Sequence, residues 1–367
     1  MRQTCLICAR SAPDGNLFCQ DVRCQAEMSP RVLDYGEWLG DIEIVRPIVV
    51  LPSAVLYDAR RQHEPLLLKV AHPGREHTLR LEREAYLLQQ MQVKGTPGQY
   101  LPVLKPPHTN VTVAQSPYGR IALGDHLLYF CVFEHFSGEP LRDLLVKNPQ
   151  PWLYHTGWIA GALATALATL HHQRRLHLAL TPDSALVHFD EKPNVPHLLL
   201  IDLGAVWDAA DAQNFQRDWY PGLVAPAYTA PEIIPPAVGL PAYAADVYGA
   251  GLTLYEMLMG QPAFERRYQN EAELYAAVRR GAPTSLSRAQ DVEKVAQIVT
   301  RAISLRPAER QASAEALAKE LAGLFGPAPA APKSMLPSKE TAMLVAVIVL
   351  VVAFATALIA SGIGLLG

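Results

Sequence analysis

Short apolar runs separated by polar turns occupy the first third of the chain. Three of them, Ile42–Val50, Ser53–Asp58 and Leu66–Ala71, are rich in Val, Ile and Leu and predict β-strands. The stretch from about Glu76 to Met91 is predicted to be a helix, and Leu127–Phe133 is predicted to be a buried strand. This part of the chain therefore indicates a region of mixed α and β structure.

Helical spacing of apolar residues dominates the second half of the chain. Thr156–Gln173 is rich in Ala and Leu at helical spacing and predicts a long central helix. Two short apolar strands with a polar turn between them follow, at 177–187 and 199–204. Further helices are predicted at Asp246–Gly260, Glu271–Arg280, Asp291–Ile303 and Ala312–Phe325. These elements indicate a larger, mainly helical region.

The last forty or so residues have a different pattern. Gly326–Pro337 is a Pro/Ala-rich stretch, and we expect residues 326–340 to form a semi-extended linker that packs no core. No charged residue follows Glu340, and Thr341–Leu366 exceeds the roughly 20 apolar residues that a membrane-spanning helix needs. Lys333 and Lys339 precede this run and favour a cytoplasmic location for the preceding domain. We expect a single-pass tail anchor.

Length and charge limit the classes of function. The chain has 367 residues, enough for one large domain with a substantial core. Its formal net charge is −3, so we expect no nucleic-acid partner. The first residues are polar and contain no recognisable cleavable signal peptide.

Four of the five cysteines lie within the first 24 residues, in two close pairs. The pairs are Cys5 with Cys8 and Cys19 with Cys24, joined by a Pro-Asp-Gly turn. Four thiolates in such pairs can surround one Zn²⁺ ion, and the metal would stabilise a segment too short to bury a core. The stretch resembles the zinc ribbons at the ends of bacterial signalling proteins. We predict a zinc ribbon over residues 1–28; disulfides or unpaired thiols are the alternatives.

The polar turn in the larger, mainly helical region carries the most specific motif. His177-Leu-Ala-Leu-Thr-Pro-Asp-Ser-Ala-Leu-Val187 is followed by Asp202-Leu-Gly204. It resembles the catalytic loop H-R-D-L-K-P-x-N-x-L and the D-F-G turn of eukaryotic-type Ser/Thr protein kinases. Asp246–Gly260 followed by Gln261-Pro-Ala-Phe264 is similar to the family's αF helix. The resemblance implies an α+β, bilobal protein-kinase fold over 36–325, with a small lobe at 36–136 and a large lobe at 137–325.

The resemblance also implies a nucleotide site. Leu66-Leu-Leu-Lys-Val-Ala71 is similar to the family's V-A-I-K strand, which makes Lys69 the phosphate-binding lysine and Glu84 its partner on the following helix. Asp202 would hold magnesium, although an aspartate that only caps a turn is the alternative. The candidate nucleotide-binding residues are Lys69, Glu84, Ser184, Asp202 and, in the hinge between the lobes, Glu134 and Phe136.

Several positions that carry the chemistry in this family are replaced. Ala179 stands where the family has its catalytic base, Thr181 where it has a lysine, and Ser184 where it has an asparagine that holds metal. Ala225 stands where a bridging threonine is found. The segment aligned with the glycine-rich loop, Pro47–Ser53, contains no glycine and two prolines, so it cannot wrap phosphates in the usual way.

The residues for regulation by phosphorylation are also replaced. The segment 205–227, which corresponds to the activation loop, contains no Ser or Thr, and Leu178 replaces the arginine that would receive a phosphate.

Positions that support the fold are retained. By contrast, Glu232 of Ala-Pro-Glu and Arg310 match the family's buried ion pair, and Asp246 matches the residue that braces the catalytic loop.

We therefore interpret the chain as a membrane-anchored pseudokinase of the Ser/Thr kinase family, without catalytic residues, that works as a signalling, scaffold or allosteric module. Its partners would be the membrane and proteins of unknown identity. The cofactors implied are structural zinc and, if nucleotide binds, ATP with magnesium. The first alternative is a weakly active kinase that uses Asp183 as a substitute base. The second is a scaffold with a closed cleft that binds no nucleotide, which the apolar residues 48–51 favour.

Overall fold

The computed structural model describes residues 2–5, 11–12, 31–96, 98–124, 126–191, 194–215, 217–218, 223–234, 239–264, 271–281 and 292–329. The strands within these residues are β1 (Arg2–Thr4), β2 (Ser11–Ala12), β3 (Arg31–Val32), β4 (Trp38–Leu39), β5 (Ile42–Val50), β6 (Ala54–Arg61), β7 (Glu64–Ala71), β8 (Leu104–Lys105), β9 (Gly119–Leu123), β10 (His126–Glu134), β11 (Glu139–Pro140), β12 (Arg175–Leu176), β13 (Ala185–Phe189), β14 (Pro196–Leu200) and β15 (Trp207–Asp208). The helices are α1 (Arg75–Val93), α2 (Leu141–Lys147), α3 (Leu153–His172), α4 (Tyr243–Met259), α5 (Glu271–Arg280), α6 (Glu293–Ala302) and α7 (Ala314–Phe325).

The small lobe is an antiparallel sheet with both faces covered. Its strands lie in the order β4-β5-β6-β7-β10-β8, and β9 also pairs with β10. Alternate residues of β7 enter different cores: Leu66, Leu68 and Val70 face one cluster, whereas Leu67 and Ala71 face the core that includes α1. Because side chains alternate along a strand, the residue between Leu67 and Ala71 points toward α1 as well. That residue is Lys69.

The predicted strands and the helix of the small lobe are confirmed, with one addition. The segment 93–126, rich in Gly and Pro, reads as a long connection, yet it contains β8 and β9. Strand β9 pairs with β10 from Leu123–His126 to Gly119–Phe130. At Gly119 a Cβ atom would lie 2.3 Å from the ring of Phe130, so the glycine permits the close approach of a ring to the backbone. Gly119 therefore lies in a strand, where it makes room for the Phe130 ring, and not in a turn.

The large lobe is built around α3. This helix is buried along most of its length and packs against α4 and α7. Strands β13 and β14 form a hairpin beside it, and β12 pairs with β15. The helices predicted over 156–325 are all present, and α4 ends at Gly260, whose φ of 75° is readily adopted by glycine.

Three predictions concern residues mostly outside this description. Strands β1 and β2 lie in the predicted zinc ribbon and form a small sheet with β3, which follows it, and buried Cys5 comes directly after β1. Cys8, Cys19 and Cys24 lie outside the described residues, and among those described no group of His, Cys, Asp and Glu could hold a metal ion. Zinc therefore stays a prediction.

The membrane span predicted at 341–366 also lies outside the described residues. Within the part of the chain that is described, no helix is long and apolar enough to cross a bilayer. Residues 328 and 329, near the start of the predicted linker, pack against α3 and Tyr100, which the Pro/Ala composition did not suggest. Ala328 contacts the main core, and Tyr100 donates its hydroxyl hydrogen bond to the carbonyls of Ala328 and Pro329.

Candidate functional site

The lysine and the glutamate predicted to pair do so in the buried interior of the small lobe. Lys69 points from β7 toward α1, where Glu84 lies on the buried face with Leu81 and Leu88. The Lys69 Nζ–Glu84 Oε2 distance is 2.6 Å. Strand alternation and helix periodicity thus bring together two charges that are 15 residues apart in sequence. The pair links the sheet to α1.

Asp202, the predicted magnesium ligand, lies shortly after β14 and joins the same cluster. Its Oδ1 is 3.0 Å from Lys69 Nζ, and its Oδ2 is 3.0 Å from Nη2 of Arg80. Arg80 lies one turn before Glu84 on α1 and also donates to the carbonyl of Leu223 at 3.5 Å. All four charged side chains are buried. Each oxygen of the carboxylate is therefore bonded to a cation of the chain itself.

Arg80 is the functional residue that sequence reasoning missed. The helix α1 carries several arginines, and the motif resemblance assigns a role to none of them. The available signal is the spacing: Arg80 precedes Glu84 by four positions, which places both on one face of a helix. Since Glu84 is expected to be buried, an arginine on that face needs a buried anion, and Asp202 supplies it.

The electrostatics of the cluster favour the charged forms of Asp202 and Lys69. Burial alone would raise the pKa of Asp202, but the positive charges of Arg80 and Lys69 outweigh it and hold that pKa well below its usual range. Burial likewise disfavours the Lys69 ammonium, yet Asp202 and Glu84 raise its pKa above the ordinary value. Burial raises the pKa of Glu84, although Lys69 opposes it. Lys69 and Arg80 thus balance the negative charge within this buried cluster.

This arrangement does not fit a metal-bound nucleotide. A divalent magnesium ion would need the oxygens of Asp202, and phosphates would need the ammonium of Lys69. Here both groups are already bonded within the chain. Binding of a magnesium–nucleotide complex would first require Arg80 and Asp202 to separate inside a buried environment.

The loop corresponding to the catalytic loop has an intact framework. Asp246 of α4 accepts hydrogen bonds from the backbone N–H groups of His177 and Leu178, at 2.8 and 2.7 Å, and from Nε2 of His171 at 2.9 Å. His177 donates from Nε2 to the carbonyl of Asp202 at 2.6 Å, while its Nδ1 accepts from the N–H of Ala179 at 3.3 Å. Burial lowers the pKa of His177, which agrees with this neutral tautomer.

The chemical groups within that framework are absent or otherwise bonded. Ala179 is buried and offers no base. The hydroxyls of Thr181 and Ser184 bond backbone N–H groups of the loop. The Thr181 hydroxyl accepts from the N–H of Asp183, and the Ser184 hydroxyl accepts from the N–H of Thr181, both at 3.2 Å. The structure therefore places the predicted nucleotide residue Ser184 in a buried capping role beside Asp202, whose N–H contacts the Ser184 carbonyl at 3.3 Å.

Asp183, the candidate substitute base, is engaged by an arginine of α2. Its Oδ2 lies 3.4 Å from both Nε and Nη2 of Arg142. Arg142 also pairs with Glu256 of α4 and donates to the hydroxyl of Tyr228 at 2.8 Å. The carboxylate thus helps to join α2 to α4 and to the loop after Ala225.

The segment aligned with the glycine-rich loop forms strand and a tight turn. Strand β5 runs through Val50, and the N–H of Leu51 bonds the carbonyl of Ala54 at 2.8 Å. Leu51 is buried, and its carbonyl accepts from Nε2 of His72 at 2.8 Å. Burial lowers the pKa of His72 to about 4, so this donor is neutral at pH 7. Ile48 and Val49 of this segment pack against the main core.

The remaining predicted residues occupy the connection between the lobes. Glu134 ends β10, where it pairs with Leu66 of β7, and its N–H bonds the carbonyl of Val103 at 2.9 Å. Phe136 is half-buried against the main core and meets His188 edge-on, with ring centroids 6.4 Å apart. Both lie in the segment predicted to be the hinge, separate in sequence from the charged cluster.

Acidic pH should remove the contribution of Asp246. Burial raises its pKa, but the hydrogen bonds from His171 and from the N–H of Leu178 help to bring it below the usual value. A carboxylate with a lowered pKa stabilises the fold above the unfolded-state pKa of about 3.9, and this stabilisation is lost as pH falls toward the folded-state pKa. We expect Asp246→Asn to cost about 2–3 kcal/mol at pH 7 and clearly less at pH 3. Urea unfolding at both pH values tests this, and an equal cost would contradict it.

Comparison with known proteins identifies relatives of this chain. The family described as "Protein kinase domain" matches residues 108–322, more than half of the chain. Serine/threonine-protein kinase PknK of Mycobacterium tuberculosis is 31% identical over 196 residues, covering 52% of this chain and 16% of the relative. Serine/threonine-protein kinase CG17528 of Drosophila melanogaster is 29% identical over 150 residues, covering 41% and 19%. The chain therefore spans less than a fifth of the length of these relatives.

A solved structure shares the fold. The crystal structure of the Mycobacterium tuberculosis PknI kinase domain superposes with a TM-score of 0.53 at 17% sequence identity, covering 80% of this chain and 99% of that one. This similarity extends the match to the small lobe, which lies largely outside residues 108–322. The protein-kinase fold expected from the sequence motifs is confirmed.

Proposed function

This chain belongs to the protein kinase domain family, and on that premise we propose that it is a pseudokinase that acts as a binding or allosteric module. The observation that carries the proposal is the bonding of both Asp202 oxygens to Lys69 and Arg80. In an active kinase the corresponding carboxylate holds the metal that bridges the phosphates. Here an internal arginine takes part of that role, so the carboxylate is already bonded within the chain.

The lost groups support the same conclusion independently. Phosphoryl transfer in this fold depends on positioned charges and on a residue that accepts the proton of the substrate hydroxyl. Ala179 and Ala225 cannot contribute such groups, and the hydroxyls of Thr181 and Ser184 are bonded to the loop. The scaffold around them, including Asp246 and the Glu232–Arg310 pair, is retained. A chain that keeps this scaffold but lacks the groups for phosphoryl transfer can still bind a partner, which is all that a binding module needs.

Signalling by such a module depends on two conformations with different affinity for a partner. Arg80 lies on α1 and Asp202 lies in the turn after β14, so their ion pair joins two elements that could move relative to each other. A partner that bound only the separated arrangement would have to break this pair. We infer that the Arg80–Asp202 pair holds the resting state.

A weakly active kinase is the second candidate. The Lys69–Glu84 pair favours it, because that pair positions a phosphate-binding lysine in the active members of the family. The substitute base it requires, Asp183, is engaged by Arg142 and would first have to be released.

A phosphoryl-transfer assay separates the two candidates. The full chain is incubated with labelled ATP, Mg²⁺ or Mn²⁺, and a degenerate mixture of Ser- and Thr-containing peptides. Asp202→Asn, which keeps the size of the side chain and removes its charge, is the matched control. We expect equal, background incorporation in both proteins. Incorporation by the natural chain that Asp202→Asn abolishes would establish the weak kinase instead.

The termini are assigned on sequence alone. We propose that Cys5, Cys8, Cys19 and Cys24 bind one structural zinc ion and that residues 341–366 anchor the chain in a membrane, with the kinase-like domain on the cytoplasmic side. Zinc content of the purified chain, compared with that of Cys19→Ser, tests the first assignment. A chain that lacks zinc while folded would refute it. The anchor is tested together with the surface described next.

A further inference from the structure

An exposed cluster of aromatic side chains lies where α3 begins and α7 ends. The ring centroids of Trp152 and Tyr154 are 4.9 Å apart, and Trp152 also meets His155 at 5.1 Å. Tyr154 contacts Phe325, the last residue of α7, at 5.7 Å. Trp152 is 58% exposed and Tyr154 is 43% exposed. Large aromatic side chains are rarely left together at a surface unless they meet a partner.

The cluster rests on a rigid base. Trp158, one to two turns into α3, donates from Nε1 to the carbonyl of Phe325 at 2.8 Å. The ring of Phe325 lies against Gly157, where a Cβ atom would come within 2.2 Å of it. The two helix ends are thus locked together beneath Trp152 and Tyr154. A fixed base means that these rings are presented without a further cost of ordering.

The chain leaves the described domain along α3, about two to three turns from Trp152. After α7, residues 326–329 run over α3, and Ala328 lies next to Gly161. Gly161 is nine positions after Trp152 on the chain, about 14 Å along a helix axis. The eleven residues from 330 to 340 can reach at most about 36–40 Å before the apolar run begins at Thr341. Any bilayer that holds this run lies within that covalent reach of residue 329.

We propose that Trp152 and Tyr154 insert into the headgroup region of the phospholipid bilayer that carries the anchor; this rests on the membrane anchor proposed above. Trp and Tyr combine an apolar ring with a polar edge, and they concentrate at the boundary between lipid and water for this reason. The contact orients the large lobe against the membrane.

Fluorescence quenching by brominated lipid tests the contact on the full chain. The protein is reconstituted into phosphatidylcholine vesicles whose acyl chains carry bromine near the headgroup, and tryptophan emission is compared with that in unbrominated vesicles. Trp152→Phe is the test variant. Trp38→Phe is the matched control, because Trp38 is 54% exposed in the small lobe. We expect Trp152→Phe to lose most of the bromine-dependent quenching and Trp38→Phe to keep it.

The outcomes distinguish the surface from the anchor. A chain that does not float with the vesicles in a density gradient overturns the anchor and, with it, the docking surface. A chain that floats while Trp152→Phe is quenched as strongly as the natural chain overturns the docking surface alone. In that second case the exposed aromatic cluster is left for a protein partner, and the anchor stands.

Discussion

Replacing Asp202 by alanine is expected to lower the free energy of unfolding by about 3–5 kcal/mol. The variant leaves Lys69 with Glu84 as its remaining carboxylate partner and leaves Arg80 with the carbonyl of Leu223. Both cations stay buried, so the lost attraction is not replaced by water. Chemical unfolding monitored by circular dichroism measures the change.

Asp218→Ala is the control for that experiment. Asp218 also pairs with an arginine, Arg217, at 3.0 Å, but both side chains are largely exposed. Exposed ion pairs contribute about 0–1 kcal/mol, so this variant should unfold almost as the natural chain does. If the two variants lost the same small amount of stability, Asp202 would have to be a solvated side chain. The buried cluster that it forms with Lys69, Glu84 and Arg80 would then be wrong.

Replacing Arg310 by methionine should have an effect of similar size in the large lobe. Arg310 bonds both oxygens of Glu232, at 2.7 and 2.9 Å, and donates to the carbonyls of Ala244 and Ser304 at 2.9 and 2.8 Å. Its guanidinium also stacks over Tyr248 at 4.7 Å. Removing one partner of a buried pair costs about 3–5 kcal/mol, because the other charge is left in a low dielectric.

Arg306→Met provides the comparison for this second variant. Arg306 is also paired with a glutamate, Glu309, yet its side chain is 81% exposed. We expect a change below about 1 kcal/mol. Combining Glu232→Gln with Arg310→Met should cost less than the sum of the two single changes, since each removes the same interaction. Strict additivity would show that the pair does not couple the segment at Glu232 to the end of the domain.

Periodicity was sufficient to predict most of the elements. The pairing of Lys69 with Glu84 followed from the motif resemblance, as did the framework around Asp246 and the Glu232–Arg310 pair, and the structure contains all three. Strand alternation and helix spacing explain the first of them, because each directs its side chain to the same core.

The ion pair of Arg80 with Asp202 and the strand β9 were both missed, for different physical reasons. Whether an arginine on a helix is exposed or buried depends on an anion from a distant part of the chain, and Asp202 lies 122 residues away. Strand β9 contains a glycine because the ring of Phe130 needs the space, and that need is visible only after the strands are paired. Tertiary contacts, rather than local preference, decided both.

The central claim is that Asp202 is bonded to Lys69 and Arg80 and is therefore not free to hold a magnesium–nucleotide complex. Its most direct test is a thermal-shift titration of the full chain and of Arg80→Met with ATP, with and without Mg²⁺. The Arg80→Met variant frees Oδ2 of Asp202 for a metal while keeping a long side chain in the helix. A ligand at 100 times its Kd stabilises a protein by about 2.7 kcal/mol, which is readily seen as a rise in Tm. We predict a magnesium-dependent rise in Tm for Arg80→Met and none for the natural chain at millimolar ATP. A magnesium-dependent rise in the natural chain would contradict the account, because Asp202 and Lys69 would then be free to hold nucleotide.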